Sequence, residues 1–154
     1  MNGFFSGDKK YSEIRVLVIE DEPHIRLIII SLLRQIGYRK IDEASDGTSG
    51  MRAFLHMRPD VVLCDIHMEP VNGLEFLRKV RSLPNEEYSE VPVVFLTSDK
   101  QKDTVLNARD LHVDGYLAKP VSQKKLAERL DAVLVRPKST ARKADTHWVE
   151  KDKS

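Results

Sequence analysis

One cysteine and one tryptophan occur in 154 residues, and there is almost no net charge. Cys64 alone cannot build an intrachain disulfide, which fits a reducing compartment. Lys and Arg (25) nearly balance Asp and Glu (24), leaving +1. That balance argues against a nucleic-acid partner, which needs a concentrated basic surface. The apolar runs are too short and too interrupted to span a bilayer, so no membrane partner is expected. The opening "MNGFFSGDKKYSE" lacks the charged, apolar and small-residue segments of a secretory signal, and the cytoplasm is the expected location.

What is present is ordinary globular composition, 41% hydrophobic and 32% charged, at a length suited to one domain. From Glu13 to about Leu134 short β-rich apolar runs alternate with longer segments of helical spacing, the pattern of βαβ units. Strands are expected at 14–19, 41–44, 61–64, 93–96 and in "GYLA" at 115–118. The intervening helices are expected from Pro23 to a stop at Gly37, after the turn "SDG" with Gly47 as breaker to about 56, and at about 73–82, 101–111 and 122–134. Pro23 suits a first helical position and Gly37 a helix end. The polar segment "SLPNEEYSEV" is expected to be a surface loop.

Residues 13–135 would form the domain, with 1–12 as an N-terminal extension and 136–154 as a basic tail. The tail has six Lys or Arg against three Asp or Glu. Nineteen mostly polar residues cannot build a domain of their own. Disorder is one expectation for them, and docking through Trp148 on the body or a partner is the other.

Short connections and right-handed crossovers favour a doubly wound α/β fold, (βα)5, with a parallel five-stranded sheet ordered 2-1-3-4-5. The switch point then falls between strands 1 and 3, beside the ends "EDE" (Glu20, Asp21, Glu22) and Asp65. The run "VVLCD" sets a charge after four apolar residues. Asp65 is thus either a loop-opening residue or a group delivered to the ligand-binding edge of the sheet. Converging Glu20, Asp21 and Asp65 would repel one another by about 4 kcal/mol per pair at 4 Å and a near-surface dielectric. A cation relieves this, and hard oxygen ligands favour Mg²⁺, with Mn²⁺ as a substitute. Strand 4 runs into Thr97 and Ser98, and strand 5 runs into Lys119 and Pro120.

Four pieces, "VLVIEDEP", "VVLCDIHMEPVNGLEFL", "PVVFLTS" and "GYLAKP", occur in the order and at the approximate spacing of one family. Together they resemble the receiver domain of two-component response regulators, the CheY-like family, over about 14–134. The resemblance implies that Asp65 is the phosphoacceptor and Asp21 a direct Mg²⁺ ligand. It gives Glu20 a role through bound water and makes the His67 backbone carbonyl a further ligand. Thr97 would bond the phosphoryl group and Lys119 would pair with it, with a cis bond expected before Pro120. Thr97 and Tyr116 would form a switch that alters the surface of the helix at 101–111, strand 5 and the last helix.

The implied donor is a histidine kinase or histidine phosphotransfer protein, and the implied reader is a downstream target protein. The chain would be a monomer or a phosphorylation-dependent dimer, and not an enzyme beyond its own phosphorylation and dephosphorylation. Two departures stand out. The family usually has Pro four residues after the phosphoacceptor, where this chain has Glu69 followed by Pro70. The resemblance implies that His67 would face the phosphoryl group with Asp99 opposite, so that His67, Glu69, Ser98 and Asp99 would tune the acyl phosphate's lifetime. A merely solvent-exposed His67 is the plain alternative.

Other classes fit less well. An aspartyl-phosphate hydrolase needs an acid two residues after the nucleophile, where His67 stands. A flavodoxin-like FMN carrier needs a small, hydroxyl-rich phosphate loop where "EDEPH" stands. A degenerate receiver that signals without phosphate would not need Glu20, Asp21, Asp65, Thr97 and Lys119 intact. Cys64 is expected to be core packing. Ile28, Ile29 and Ile30 exceed what one helix face needs, so part of that stripe is expected at the surface or against a partner.

Overall fold

Val16 to Ile19 and Val61 to Cys64 are aliphatic on both sides of the pleat, and such runs need cover above and below. In the computed structural model, which describes residues 11–98 and 112–135, they lie in β1 (Arg15–Ile19) and β3 (Val61–Asp65). With β2 (Lys40–Ala44), β4 (Val93–Thr97) and β5 (Gly115–Ala118) they form one parallel sheet. Its order is β2-β1-β3-β4-β5, as the sequence predicts.

Alternation along the strands supplies two cores. Leu17, Ile19, Val62, Cys64 and Phe95 face α2 (Gly47–Met57) and α3 (Gly73–Arg81), meeting Phe54, Phe76, Leu77 and Val80. Val16, Val18, Leu63 and Leu96 face α1 (Pro23–Ile36) and α5 (Gln123–Leu134), meeting Ile29, Leu33, Leu126 and Leu130. Each large aliphatic or aromatic side chain so buried stabilises the fold by about 1.5–3 kcal/mol. Cys64 is fully buried in the first core, in keeping with a packing role.

Local chemistry sets the helix ends. Asp46 accepts from the Ser49 N–H at 2.7 Å and Asn72 from the Glu75 N–H at 2.9 Å, each within a capping box that starts a helix. Gly37 ends α1 at φ 131°, a conformation open to glycine. In α1, Ile29 and Ile30 turn inward while Leu27 and Ile28 stay exposed.

Two features differ from the sequence expectation. β3 and β4 run one residue further, through Asp65 and Thr97, because both residues keep partners in the ladder, Leu96 and Ala118. The segment at 82–91 is not a free loop, for it contains the turn α4 (Glu86–Ser89), started by Asn85 and seated through Tyr88 against Phe54. Tyr11 packs on Tyr38 with ring centroids 5.0 Å apart and donates to Asp131 at 2.8 Å. No helix among the described residues is long and apolar enough to cross a membrane. The expected helix at 101–111, Asp99 and the tail with Trp148 lie outside the described residues.

Candidate functional site

The parallel order brings the carboxyl ends of β1, β3, β4 and β5 to one edge of the sheet. Asp65 closes the fully buried strand β3, 5% exposed, so the strand carries a carboxylate from the core to the rim. The chain then turns back into α3, and the Gly73 N–H donates to the Ile66 carbonyl at 2.8 Å. A Cβ on Gly73 would stand 2.6 Å from the Asp65 carbonyl oxygen, so only glycine permits this approach.

Glu20 follows β1 and is wholly buried. Its backbone N–H donates to the Ala44 carbonyl at 3.1 Å, and its Oε2 accepts from the Glu22 N–H at 3.2 Å. Its Oε1 has the Lys119 ammonium at 3.0 Å but no well-directed hydrogen bond. The same ammonium lies 3.2 Å from Asp65 Oδ1, which also accepts from the His67 N–H at 3.3 Å. One cation thus bridges two buried carboxylates.

The charges are unevenly compensated. Burial pushes the Glu20 carboxyl up to about 7, with Lys119 pulling it back and the Asp65 charge adding to the rise. Burial also raises Asp65; Lys119 and the His67 N–H oppose that, while Asp21 reinforces it. For Lys119 burial works downward, yet Glu20 and Asp65 outweigh it and the ammonium is held above its usual range.

Glu20, exposed Asp21 and Asp65 can each offer an oxygen, all within 4.8 Å of one another. One ammonium, shared between Glu20 Oε1 and Asp65 Oδ1, stands against three carboxylates and leaves negative charge at the cluster. A hard divalent cation of the Mg²⁺ type fits this all-oxygen donor set.

The remaining predicted residues gather around the same edge. Thr97 is buried at the end of β4, its hydroxyl donating to the Ser98 carbonyl at 3.2 Å and its carbonyl accepting from the Lys119 N–H at 2.8 Å. Tyr116 is half-buried opposite Phe95, with ring centroids 6.4 Å apart. Because Thr97 pairs with Ala118, two residues along, Thr97 and Tyr116 face the same side of the sheet. His67 and Glu69 are exposed and line a cleft of about 680 Å³ with Asp21, Met68, Pro70 and Asn72. The Lys119–Pro120 bond is cis, as expected, and the Glu69–Pro70 bond is cis as well. Asp99 lies outside the described residues.

One participant carried no signal in the sequence. Arg26, on the first turns of α1, donates from Nη1 to the Glu20 carbonyl at 2.6 Å and from Nε to Glu43 Oε1 on β2 at 2.8 Å. Arg26 and Glu43 are too far apart along the chain to read as a helical charge pair. Only the packing of α1 beside the edge strand brings them together.

Residues 16–131 match the family model of the response regulator receiver domain, and the chain belongs to that family. It is 28% identical over 123 residues to chemotaxis protein CheY-3 of Vibrio cholerae, an alignment covering 80% of this chain and 93% of that protein. To the probable chemotaxis protein CheY of Rhizobium etli it is 31% identical over 121 residues, covering 79% and 92%. Among solved structures it resembles chemotaxis response regulator CheY4 of Vibrio cholerae, with TM-score 0.71, 27% identity and coverage of 79% and 98%. It also resembles the receiver domain of a sensor histidine kinase from Pseudomonas aeruginosa, which holds a magnesium ion in its active-site cleft. There the TM-score is 0.72, the identity 27% and the coverage 80% and 98%.

Proposed function

We propose that this receiver accepts a phosphoryl group on Asp65 from the phosphohistidine of a histidine kinase or histidine phosphotransfer protein. The observation that carries this reading is Lys119, 3.2 Å from Asp65 Oδ1 and 3.0 Å from Glu20 Oε1 at the carboxyl edge of the sheet. An Asp65 oxygen attacks phosphorus and the P–N bond breaks. Its electron pair stays on the imidazole nitrogen, which takes up a proton. Attack by one anion on another needs positive charge at the transferring group. Lys119 supplies a compact point charge, and Thr97 offers a hydroxyl from β4.

Glu20, Asp21, Asp65 and the His67 carbonyl would hold Mg²⁺. The ion, when bound, neutralises charge on the phosphoryl oxygens. Lys119 pairs with an oxygen of the product, and Thr97 moves toward the phosphoryl group while Tyr116 turns into the space it leaves. The surface of the helix at 101–111, β5 and α5 changes accordingly and is read by a target protein. His67, Glu69, Ser98 and Asp99 set how fast water removes the mark. Beyond forming and losing its own acyl phosphate the chain is not an enzyme, and it works in the cytoplasm as a monomer or a dimer formed on phosphorylation.

Incubation with Mg²⁺ and acetyl phosphate or phosphoramidate tests the proposal by intact mass. The wild type gains one phosphoryl group and Asp65→Asn does not. An undiminished gain on Asp65→Asn would sink it.

A further inference from the structure

We infer that Arg26 is a positioning residue for the divalent cation, acting by fixing the peptide plane between Glu20 and Asp21. Glu20 and Asp21 are adjacent, so the carbonyl that Arg26 binds belongs to the amide joining them. A peptide unit is planar, and holding its oxygen fixes where the Asp21 Cα leaves. The contact is a charge-assisted hydrogen bond of 2.6 Å from an Arg26 side chain that is 18% exposed. On its other side the guanidinium meets Glu43 at 2.8 Å, while the Glu20 N–H is tied to the Ala44 carbonyl at 3.1 Å. The end of the edge strand β2 therefore braces both faces of Glu20, the N–H directly and the carbonyl through Arg26.

Asp21 needs such bracing most. Glu20 is buried and held by Lys119 and the Glu22 N–H, whereas Asp21 is exposed and its direction rests on the backbone. A cation near a metal site also has an opposing effect, since a bare guanidinium would repel Mg²⁺. Glu43 at 2.8 Å neutralises that charge, so positioning is the larger contribution. The arrangement matches the general role of outer contacts that orient metal ligands, whose loss typically weakens metal binding by about 10- to 100-fold.

The inference rests on the Mg²⁺ reading above, and its test separates the two. Full-length wild type, Arg26→Gln, Arg26→Lys and Glu43→Gln are titrated with Mg²⁺ by calorimetry, with the Mg²⁺-induced rise in Tm as a second readout. Arg26→Gln is expected to bind Mg²⁺ about 10-fold more weakly. Its phosphorylation should shift mainly in the Mg²⁺ concentration required and less in the rate at saturation. Arg26→Lys, which keeps one donor, should recover part of the affinity. Glu43→Gln should weaken binding in a way that added salt diminishes, because it leaves the guanidinium charge bare.

An Arg26→Gln protein with a lower Tm but unchanged Mg²⁺ affinity would show a purely structural contact and overturn the inference. Tighter Mg²⁺ binding by Arg26→Gln would show that charge repulsion dominates and overturn it equally. Absence of Mg²⁺ binding by the wild type would remove the metal reading and the inference together.

Discussion

Lys119 reaches across the end of β4 to Asp65, placing its ammonium 3.2 Å from Oδ1 while 3.0 Å from Glu20. Lys119 leaves β5 and Asp65 leaves β3, so the contact exists only because the sheet order makes those strands near neighbours. It joins a carboxylate that burial would otherwise neutralise to the charge that keeps it ionised.

Replacing Lys119 by Ala should slow acyl phosphate formation from a small donor by on the order of 10²-fold, the usual loss when one preorganised donor to a developing anion is removed. It should also leave Glu20 and Asp65 buried without their cation. The metal-free variant is then expected to lose more stability at pH 8 than at pH 5, because at the lower pH a proton on Glu20, held at about 7 even with Lys119 present, takes the place of the ammonium. Urea denaturation at the two pH values tests this, and equal losses would contradict it.

The pH dependence of the wild type follows from the same burial. Glu20 rises from its ordinary 4.5 to about 7 in the folded state, and Asp65 rises too. The folded protein therefore binds these protons more tightly than the unfolded chain. This contribution to stability is complete below about pH 4.5 and is lost as pH climbs through about 7. A rise from 4.5 to about 7 corresponds to about 3 kcal/mol, so metal-free protein should gain stability of that order from Glu20 between pH 8 and pH 4.5. Mg²⁺ must displace the same protons, so its affinity should fall over that interval. Calorimetric titrations showing an affinity independent of pH between 8 and 5 would refute the assignment.

Gly73 tests how tightly the site is tied to the packing of α3. Its Cβ would meet the Asp65 carbonyl oxygen at 2.6 Å and the Ile66 Cα at 2.9 Å, both backbone atoms with little room to yield. Gly73→Ala is expected to cost about 1–3 kcal/mol through overpacking and to slow phosphorylation by shifting Asp65. Gly37→Ala, whose Cβ meets the Tyr11 side chain rather than backbone, serves as a comparison distant from the site. It should lower stability through its φ of 131° while leaving the phosphorylation rate unchanged.

The strand order and the convergence of Glu20, Asp21, Asp65 and Lys119 are legible in the sequence because each follows a β-rich run. Position at a strand's end is a one-dimensional signal. The last residue of β3 was harder to place, since the sequence marks where apolar residues stop, whereas hydrogen bonding carries the ladder on to Asp65. Tyr88 hides in a polar segment because one aromatic among charges has no period, yet it seats α4 on Phe54. Arg26 and Glu43 meet only through tertiary packing, and Tyr11 joins Asp131 across 120 residues. Contacts made by long side chains between separate elements leave no spacing to read.

Tyr38 offers a prediction with the opposite sign to most core substitutions. Its ring is fully buried in the α1–α5 core against Tyr11, but its hydroxyl has no hydrogen-bond partner among the described residues. Burial, with the Asp131 and Tyr11 charges, holds the phenol well above its ordinary range, so it stays neutral. A buried hydroxyl that has given up water and gained no partner is a net cost. Tyr38→Phe keeps the ring contacts and removes that cost, and should stabilise the protein by about 0.5–1 kcal/mol in urea denaturation at pH 7. Tyr11→Phe removes a hydroxyl that does donate, to Asp131 at 2.8 Å, and should destabilise by about 1 kcal/mol. If both variants lost stability, the Tyr38 hydroxyl would have to be hydrogen-bonded in solution, and the account of this core would be wrong.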